Sequence, residues 1–165
     1  MASERFVAAL TAQIAREFAA AHQYVAVGNY YSMETFPQLS AFFYAQAEEE
    51  REHAMKMVTY LIERGVQPDI GGVGAPRSTF GDHVEPIRIA LEQERQVTIK
   101  ISELFEIARE TRDYASEQFM QWFLEEQVEE EAAMGDLLAV AERTVSVPML
   151  LVEYLARVKP GARPE

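Results

Sequence analysis

The chain has 165 residues, no cysteine and a formal net charge of −12 at pH 7. The absence of cysteine excludes disulfides, thiol catalysis and thiolate metal sites, so any metal ligand must be a carboxylate, an imidazole or an amide. The charge has the wrong sign for electrostatic binding to nucleic acid, and no basic patch compensates it. The length predicts one domain over residues 1–165, with enough chain for a hydrophobic core.

The distribution of apolar residues argues against a membrane protein. No apolar run approaches the roughly 20 residues that a membrane-spanning helix needs. The N-terminal residues lack an apolar signal core followed by a cleavage site. We therefore expect no membrane partner and a cytoplasmic location.

Apolar side chains recur at three- and four-residue steps, which predicts an all-α protein of four long helices and a short fifth helix. The predicted bounds are about 3–35, 38–64, 85–111, 114–144 and 148–158, followed by a tail over 159–165. Ser3 is a candidate N-cap. Pro37 separates the first two helices, and Gly65 follows the second.

Between the second and third helices, from about Val66 to His83, the periodicity disappears and glycine and proline are frequent. Most connections are shorter, so this segment is predicted to run from one end of the molecule to the other. Helices of about 28 residues are roughly 42 Å long. Joined by short, long and short connections, they predict an antiparallel four-helix bundle with one long crossover.

The predicted buried face of the second helix carries two polar residues at its centre, Glu50 and His53. They form a Glu-x-x-His pair, so they project from the same side of the helix. A buried charge is costly unless it is paired, protonated or bound to a metal.

Each of the other long helices carries polar residues at the midpoint of its apolar face. Since antiparallel packing brings the midpoints of the four helices to one level, we predict a single polar cluster in the core. Its members are Glu17, Glu50, His53, Glu94, Gln127 and Glu130.

Four carboxylates this close together cannot all stay ionised in an apolar core without cations. Two divalent metal ions would neutralise them. Oxygen-rich ligation with a single imidazole suits iron or manganese better than copper. A hydrogen-bonded polar core without metal is the alternative that the spacing leaves open. The other histidines, His22 and His83, are predicted to lie at the surface.

These residues resemble those of bacterial non-haem ferritins, members of the ferritin-like di-iron family, over nearly the whole chain. The marks are Glu17 with Tyr24, Glu50-x-x-His53, Glu94, the segment from Gln118 to Phe123, and Gln127-x-x-Glu130. The resemblance implies iron storage and detoxification. Fe2+ would be oxidised to Fe3+ by dioxygen or hydrogen peroxide at an intrasubunit dinuclear centre, and the product would mineralise inside a shell of twenty-four identical subunits.

The resemblance also implies a role for each site residue. One iron would be held by Glu17, Glu50 and His53, and the second by Glu50, Glu94 and Glu130, with Gln127 alongside. A third iron site found in some bacterial members matches Glu49, Glu126 and Glu129, with Glu130 shared. Tyr24 and Trp122 match aromatic residues implicated in electron supply.

Other members of the family differ at identifiable positions. Bacterioferritins and rubrerythrins carry a second Glu-x-x-His where this chain has Gln127-x-x-Glu130, and Arg51 stands where bacterioferritins have their haem-ligating Met, so no haem is expected. Glu117 matches the first acid of the family's three-fold pore, but Met120 occupies the second position. The alternatives are a di-iron peroxidase of rubrerythrin type, a storage cage without its own oxidation centre, and a di-manganese or mixed-metal protein.

Overall fold

The computed structural model describes residues 3–160, which form five helices and contain no β-strand. Helix α1 spans Glu4–Met33, α2 spans Pro37–Glu63, α3 spans Glu85–Glu110, α4 spans Tyr114–Arg143 and α5 spans Met149–Arg157. The predicted all-α class is confirmed, and every helix begins and ends within two residues of its expected position. Residues 161–165 of the predicted tail lie outside the described residues.

The four long helices pack as two antiparallel pairs, α1 with α2 and α3 with α4, and α1 also contacts α3. Their apolar faces form two separate core clusters. One contains Phe6, Leu10, Met57, Leu61, Leu104 and Phe123 among others. The other contains Tyr24, Phe43, Leu91, Met134 and Leu137 among others, and includes Leu151 from α5. The buried polar residues of the middle of the bundle belong to neither cluster.

Local sequence sets the helix ends. The Ser3 hydroxyl accepts a hydrogen bond from the Phe6 backbone N–H at 3.2 Å, so the predicted N-cap is present. Gly65 follows α2 with φ of +74°, a conformation that glycine adopts without steric cost. Pro37 opens α2, and Pro86 lies in the first turn of α3, where a missing N–H costs nothing.

The crossover between α2 and α3 lies along α1, as the sequence predicts for a segment that traverses the bundle. Gln23 exchanges two hydrogen bonds with the backbone of Arg77, at 2.8 and 2.9 Å. Further along, the Tyr31 hydroxyl donates to the His83 carbonyl at 2.6 Å. Within residues 3–160, each helix is too short or too polar to cross a bilayer.

The prediction for the two remaining histidines is half right. His22 is exposed. His83 is not fully solvated: its imidazole lies 5.8 Å from the Phe36 ring, and its Nε2 atom is buried without a hydrogen-bond partner among the described residues. The sequence could not reveal this contact, because Phe36 and His83 are brought together only by the path of the crossover.

Close packing of α1 against α2 generates a stability prediction. A Cβ added at Gly28 would lie 2.7 and 2.8 Å from two ring carbons of Tyr44, whereas one added at Gly135 in α4 meets nothing within 4 Å. The Tyr44 ring is held by a 2.6 Å hydrogen bond to Asn29. Both Gly→Ala changes gain about 1 kcal/mol of helix propensity.

We therefore expect Gly28→Ala to have a free energy of unfolding about 1–3 kcal/mol below that of Gly135→Ala, because only the first displaces the Tyr44 ring from its packed position. Chemical denaturation of both variants measures the difference. Equal stabilities would mean that the Tyr44 ring moves aside at no cost.

Candidate metal centre

The four long helices deliver six polar side chains to the middle of the bundle. All are more than nine-tenths buried, and the least exposed is Glu94 at 0%. Each comes from the midpoint of its helix, which is the position that the sequence pattern predicts. The set is Glu17 from α1, Glu50 and His53 from α2, Glu94 from α3, and Gln127 and Glu130 from α4.

The carboxylate and imidazole groups form two overlapping sets. Ligand atoms of Glu17, Glu50 and His53 lie within 4.8 Å of one another, and so do those of Glu50, Glu94 and Glu130. Glu50 belongs to both sets. The arrangement can therefore hold two cations side by side with one shared carboxylate.

His53 faces carboxylates with both of its ring nitrogens. Its Nδ1 lies 3.5 Å from Glu50 Oε2. Its Nε2 lies 3.8 Å from Glu130 Oε1 and 4.0 Å from Glu126 Oε2. His53 therefore belongs to two ligand sets. One contains Glu17 and Glu50, and the other, a third set, contains Glu126 and Glu130.

The six polar side chains form a layer across the middle of the bundle, called the buried layer below. Three carboxylate oxygens in this layer have no hydrogen-bond partner among the described residues, although each is buried. They are Glu17 Oε2, Glu50 Oε2 and Glu130 Oε2. Buried polar atoms in folded proteins are nearly always satisfied, so a cluster of three needs an explanation. A bound cation would satisfy these atoms, because carboxylate oxygens are ligands that iron and manganese accept.

Burial and mutual repulsion favour the protonated form of these acids. Burial raises the pKa of Glu50 well above its usual value, and the charges of Glu94, Glu17 and Glu130 raise it further. Burial and the charge of Glu94 raise the pKa of Glu130 to about 10. Burial also raises the pKa of Glu17, and hydrogen bonds from Glu50 and Gln13 partly oppose the effect. Binding of cations must therefore displace protons.

Glu94 is held in position by its neighbours. The Tyr24 hydroxyl donates to Glu94 Oε1. The Gln127 side-chain amide donates to Glu94 Oε2, and also to Thr98 Oγ1, each at 3.2 Å. Burial and the adjacent Glu94 raise the pKa of Tyr24 well above its usual value, so the phenol stays protonated. Gln127 thus orients a candidate ligand in this arrangement.

Comparison with known proteins identifies the family. Residues 7–144 match the family model of the ferritin-like domain. The chain belongs to the ferritin family. The predicted resemblance to bacterial non-haem ferritins is therefore confirmed, and with it the fold class.

Individual relatives agree with this assignment. The chain is 44% identical over 153 residues to Ferritin BfrB of Mycobacterium tuberculosis, covering 93% of this chain and 84% of the relative. It is 41% identical over 132 residues to a bacterial non-heme ferritin of Staphylococcus aureus, covering 80% of each. An open-pore ferritin from Archaeoglobus fulgidus superposes with a TM-score of 0.91 at 30% identity, covering 99% of this chain and all of that one.

The residues assigned to a third iron site lie together only in part. Glu126 and Glu130 join His53 in one ligand set. Glu49 and Glu129 are exposed and line the same cavity between α2 and α4, outside the three ligand sets found in residues 3–160. At the expected pore position, Met120 is fully buried in the bundle core and Glu117 is partly buried. Met120 therefore cannot take the place of a pore-lining acid.

Two residues that the sequence did not single out lie beside the polar cluster: Gln13, and Lys56, which contacts the predicted residue Trp122. Gln13 is fully buried and donates to Glu17 Oε1 at 2.8 Å. Its position four residues before Glu17, on the same helical face, was the available signal. The Trp122 ring lies 5.6 Å from the His53 imidazole. The ammonium of Lys56 lies 3.4 Å from the centre of the Trp122 ring.

The raised carboxyl pKa values predict how stability depends on pH. A group whose pKa is higher in the folded than in the unfolded state stabilises the fold at low pH, and this contribution falls as pH rises towards the folded value. For Glu130, whose pKa burial raises to about 10, this stabilisation should fall as the pH rises from the unfolded towards the folded value.

Metal-free protein should therefore become less stable between about pH 6 and about pH 9. Glu130→Gln should show a shallower decline, because an amide does not ionise, whereas Glu125→Gln at an exposed position of α4 should match the wild type. Denaturant unfolding across the pH range, with a chelator present, provides the measurement. An equal slope in Glu130→Gln and wild type would contradict the assignment.

Proposed function

We propose that this ferritin stores iron and that each subunit is a ferroxidase. Two Fe2+ ions bind side by side in the buried layer and are oxidised to Fe3+. The observation that carries the proposal is that Glu50 belongs to two overlapping ligand sets, while three buried carboxylate oxygens in those sets lack a partner among the described residues.

The proposed ligands follow from the two sets. Glu17 and His53 hold one Fe2+, Glu94 and Glu130 hold the other, and Glu50 bridges them. The protons displaced from the carboxyl groups leave a negatively charged site, which favours Fe3+ over Fe2+. The two ions lose one electron each. Dioxygen takes up the two electrons with two protons to give hydrogen peroxide, or hydrogen peroxide takes them up with two protons to give two water molecules.

Two aromatic side chains lie beside the proposed centre, at positions where the family resemblance implies a part in electron supply. Tyr24 contacts Glu94 through its hydroxyl. Trp122 lies next to His53. Their proximity to proposed ligands supports the role that the family resemblance implies for them.

The set of His53, Glu126 and Glu130 supports a route for the product. We propose that Fe3+ moves from the buried layer to this set, which can hold a third ion, and then past Glu49 and Glu129 in the adjoining cavity. Both outer acids are exposed, so they connect the buried layer with solvent. Mineral would then form beyond them.

Storage requires an enclosed space, and we propose a shell of twenty-four subunits. The similar archaeal proteins are described as open-pore and closed forms of a ferritin, and pores belong to a shell. Met149 and Leu150 of α5 are 63% and 49% exposed in the single chain. Apolar side chains so exposed on a short helix support burial of α5 against other copies of the chain.

Two alternatives use the same ligands. A di-iron peroxidase of rubrerythrin type would be a small oligomer, so a dimer on size-exclusion chromatography would favour it over a storage shell. A di-manganese or mixed-metal protein differs only in the bound ion, so metal analysis after native purification decides. A cage without its own oxidation centre leaves the three buried carboxylate oxygens unexplained.

The bridging role of Glu50 provides the test. Glu50→Ala removes a ligand of both ions, so the initial rate of Fe2+ oxidation should fall by more than the roughly 10–100-fold typical of residues outside the ligand set. The control is Glu48→Ala, at an exposed position of the same helix, which should leave the rate unchanged.

The rate is followed by absorbance of Fe3+ after mixing Fe2+ with metal-free protein in air. Size-exclusion chromatography must show that both variants assemble like the wild type. If Glu50→Ala oxidised iron at the wild-type rate, the dinuclear site would lie elsewhere.

A further inference from the structure

A fully buried glutamine, Gln13, lies beside one of the proposed ligands and is not itself a ligand. Its exposed fraction is 0%, and its side-chain amide donates to Glu17 Oε1 at 2.8 Å. Both residues face the core from α1, about one helical turn apart. A buried amide is unfavourable unless it is hydrogen-bonded. The amide of Gln13 therefore depends on Glu17 as a partner.

An exposed residue fixes the direction in which this amide points. The Arg16 guanidinium donates to Gln13 Oε1 at 3.2 Å. Because a guanidinium carries only donors, it must face the oxygen of the amide rather than its nitrogen. The amide nitrogen is then left to donate to Glu17, whose ionised carboxylate only accepts. Arg16 and Glu17 thus favour the same orientation of Gln13.

This hydrogen bond makes the two oxygens of Glu17 different. Oε1 accepts from Gln13. Oε2 is buried without a hydrogen-bond partner among the described residues. Glu17 also shares a ligand set with Glu50 and His53. A cation that enters this set therefore meets one engaged oxygen and one free oxygen on Glu17.

We propose that Gln13 is a positioning residue: it holds Glu17 Oε1 and so leaves Glu17 Oε2 as the oxygen that binds a metal ion. Arg16 fixes Gln13 in the orientation that this requires. The inference rests on the proposed dinuclear centre. Carboxylates that bind metals are commonly held by outer hydrogen bonds of this kind. A carboxylate that binds through one oxygen leaves a coordination position of the ion open for the oxidant.

Gln13 contacts the ligands of only one of the two proposed ions. The other ion would be held on its far side by Glu94, whose two oxygens accept hydrogen bonds from the Tyr24 hydroxyl and the Gln127 amide. Loss of the Gln13 amide should therefore affect one ion selectively. A general loosening of the bundle would affect both.

The first experiment measures metal binding without iron oxidation. Metal-free protein is titrated with Co2+, which accepts oxygen and imidazole ligands as Fe2+ does, and binding is followed by visible absorption. Gln13→Met keeps the length of the side chain but lacks the amide. Gln23→Met is the matched control, because Gln23 lies on the same helix and bonds to the backbone of Arg77 instead.

Gln13→Met should weaken one of the two tightest binding steps about tenfold, the lower end of the range for residues that hold a metal ligand. The other step should not change, and Gln23→Met should match the wild type in both steps. Equal affinities in Gln13→Met and the wild type would overturn the proposal. So would equal weakening of both steps, because the fold would then be the cause.

Replacement of Arg16 separates orientation from charge. Arg16 is exposed, so its replacement leaves the core intact. Removal of its positive charge alone would strengthen binding of a nearby cation, whereas loss of the bond that orients Gln13 would weaken it. We expect Arg16→Met to weaken the same step about threefold, and Arg16→Lys to keep the wild-type affinity because an ammonium also donates. Binding by Arg16→Met as tight as in the wild type, or tighter, would overturn the proposal.

The second experiment locates the ligand atom in crystals soaked with Co2+. In the wild type, the ion nearest Glu17 should contact one oxygen of this carboxylate, while the other oxygen keeps its hydrogen bond from Gln13. Contact of the ion with both oxygens would refute the proposed role of Gln13. If the wild type failed to oxidise Fe2+ faster than buffer, the ferroxidase proposal would fail, and the Co2+ measurements would still decide the role of Gln13.

Discussion

Four carboxyl groups buried in one layer of a helical bundle set the conditions for the rest of this structure. Glu17, Glu50, Glu94 and Glu130 lie between two apolar core clusters. Burial raises the pKa of Glu17, Glu50 and Glu130, and the charges of their neighbours raise it further. Glu17, Glu50 and Glu130 can keep their protons, or the cations of the proposed metal centre can replace those protons. The proposed centre would therefore couple the stability of the bundle to pH and to metal.

The surrounding residues keep the acids in place without neutralising them. Tyr24 and Gln127 donate to Glu94, and Gln13 donates to Glu17. Neutral donors of this kind orient the carboxylates but leave their charge available to a cation. Glu50 has no such fixed donor, which suits a residue proposed to bridge two ions whose charge changes during the reaction.

Most of the fold could be predicted because helical periodicity and a few helix-ending residues are local properties of the sequence. The convergence of acids at one level followed from their midpoint positions and from antiparallel packing. Details that depend on contacts between distant segments could not be predicted. His83 packs on Phe36 because of the path of the crossover, and Lys56 lies over Trp122 because of the register between α2 and α4.

Crystallographic location of bound iron tests the central claim most directly. Crystals soaked anaerobically with Fe2+, with data collected at the iron absorption edge, should show two anomalous peaks in the buried layer, both within ligand distance of Glu50. A layer without ordered metal, whose carboxyl groups bond only to one another, would contradict the account.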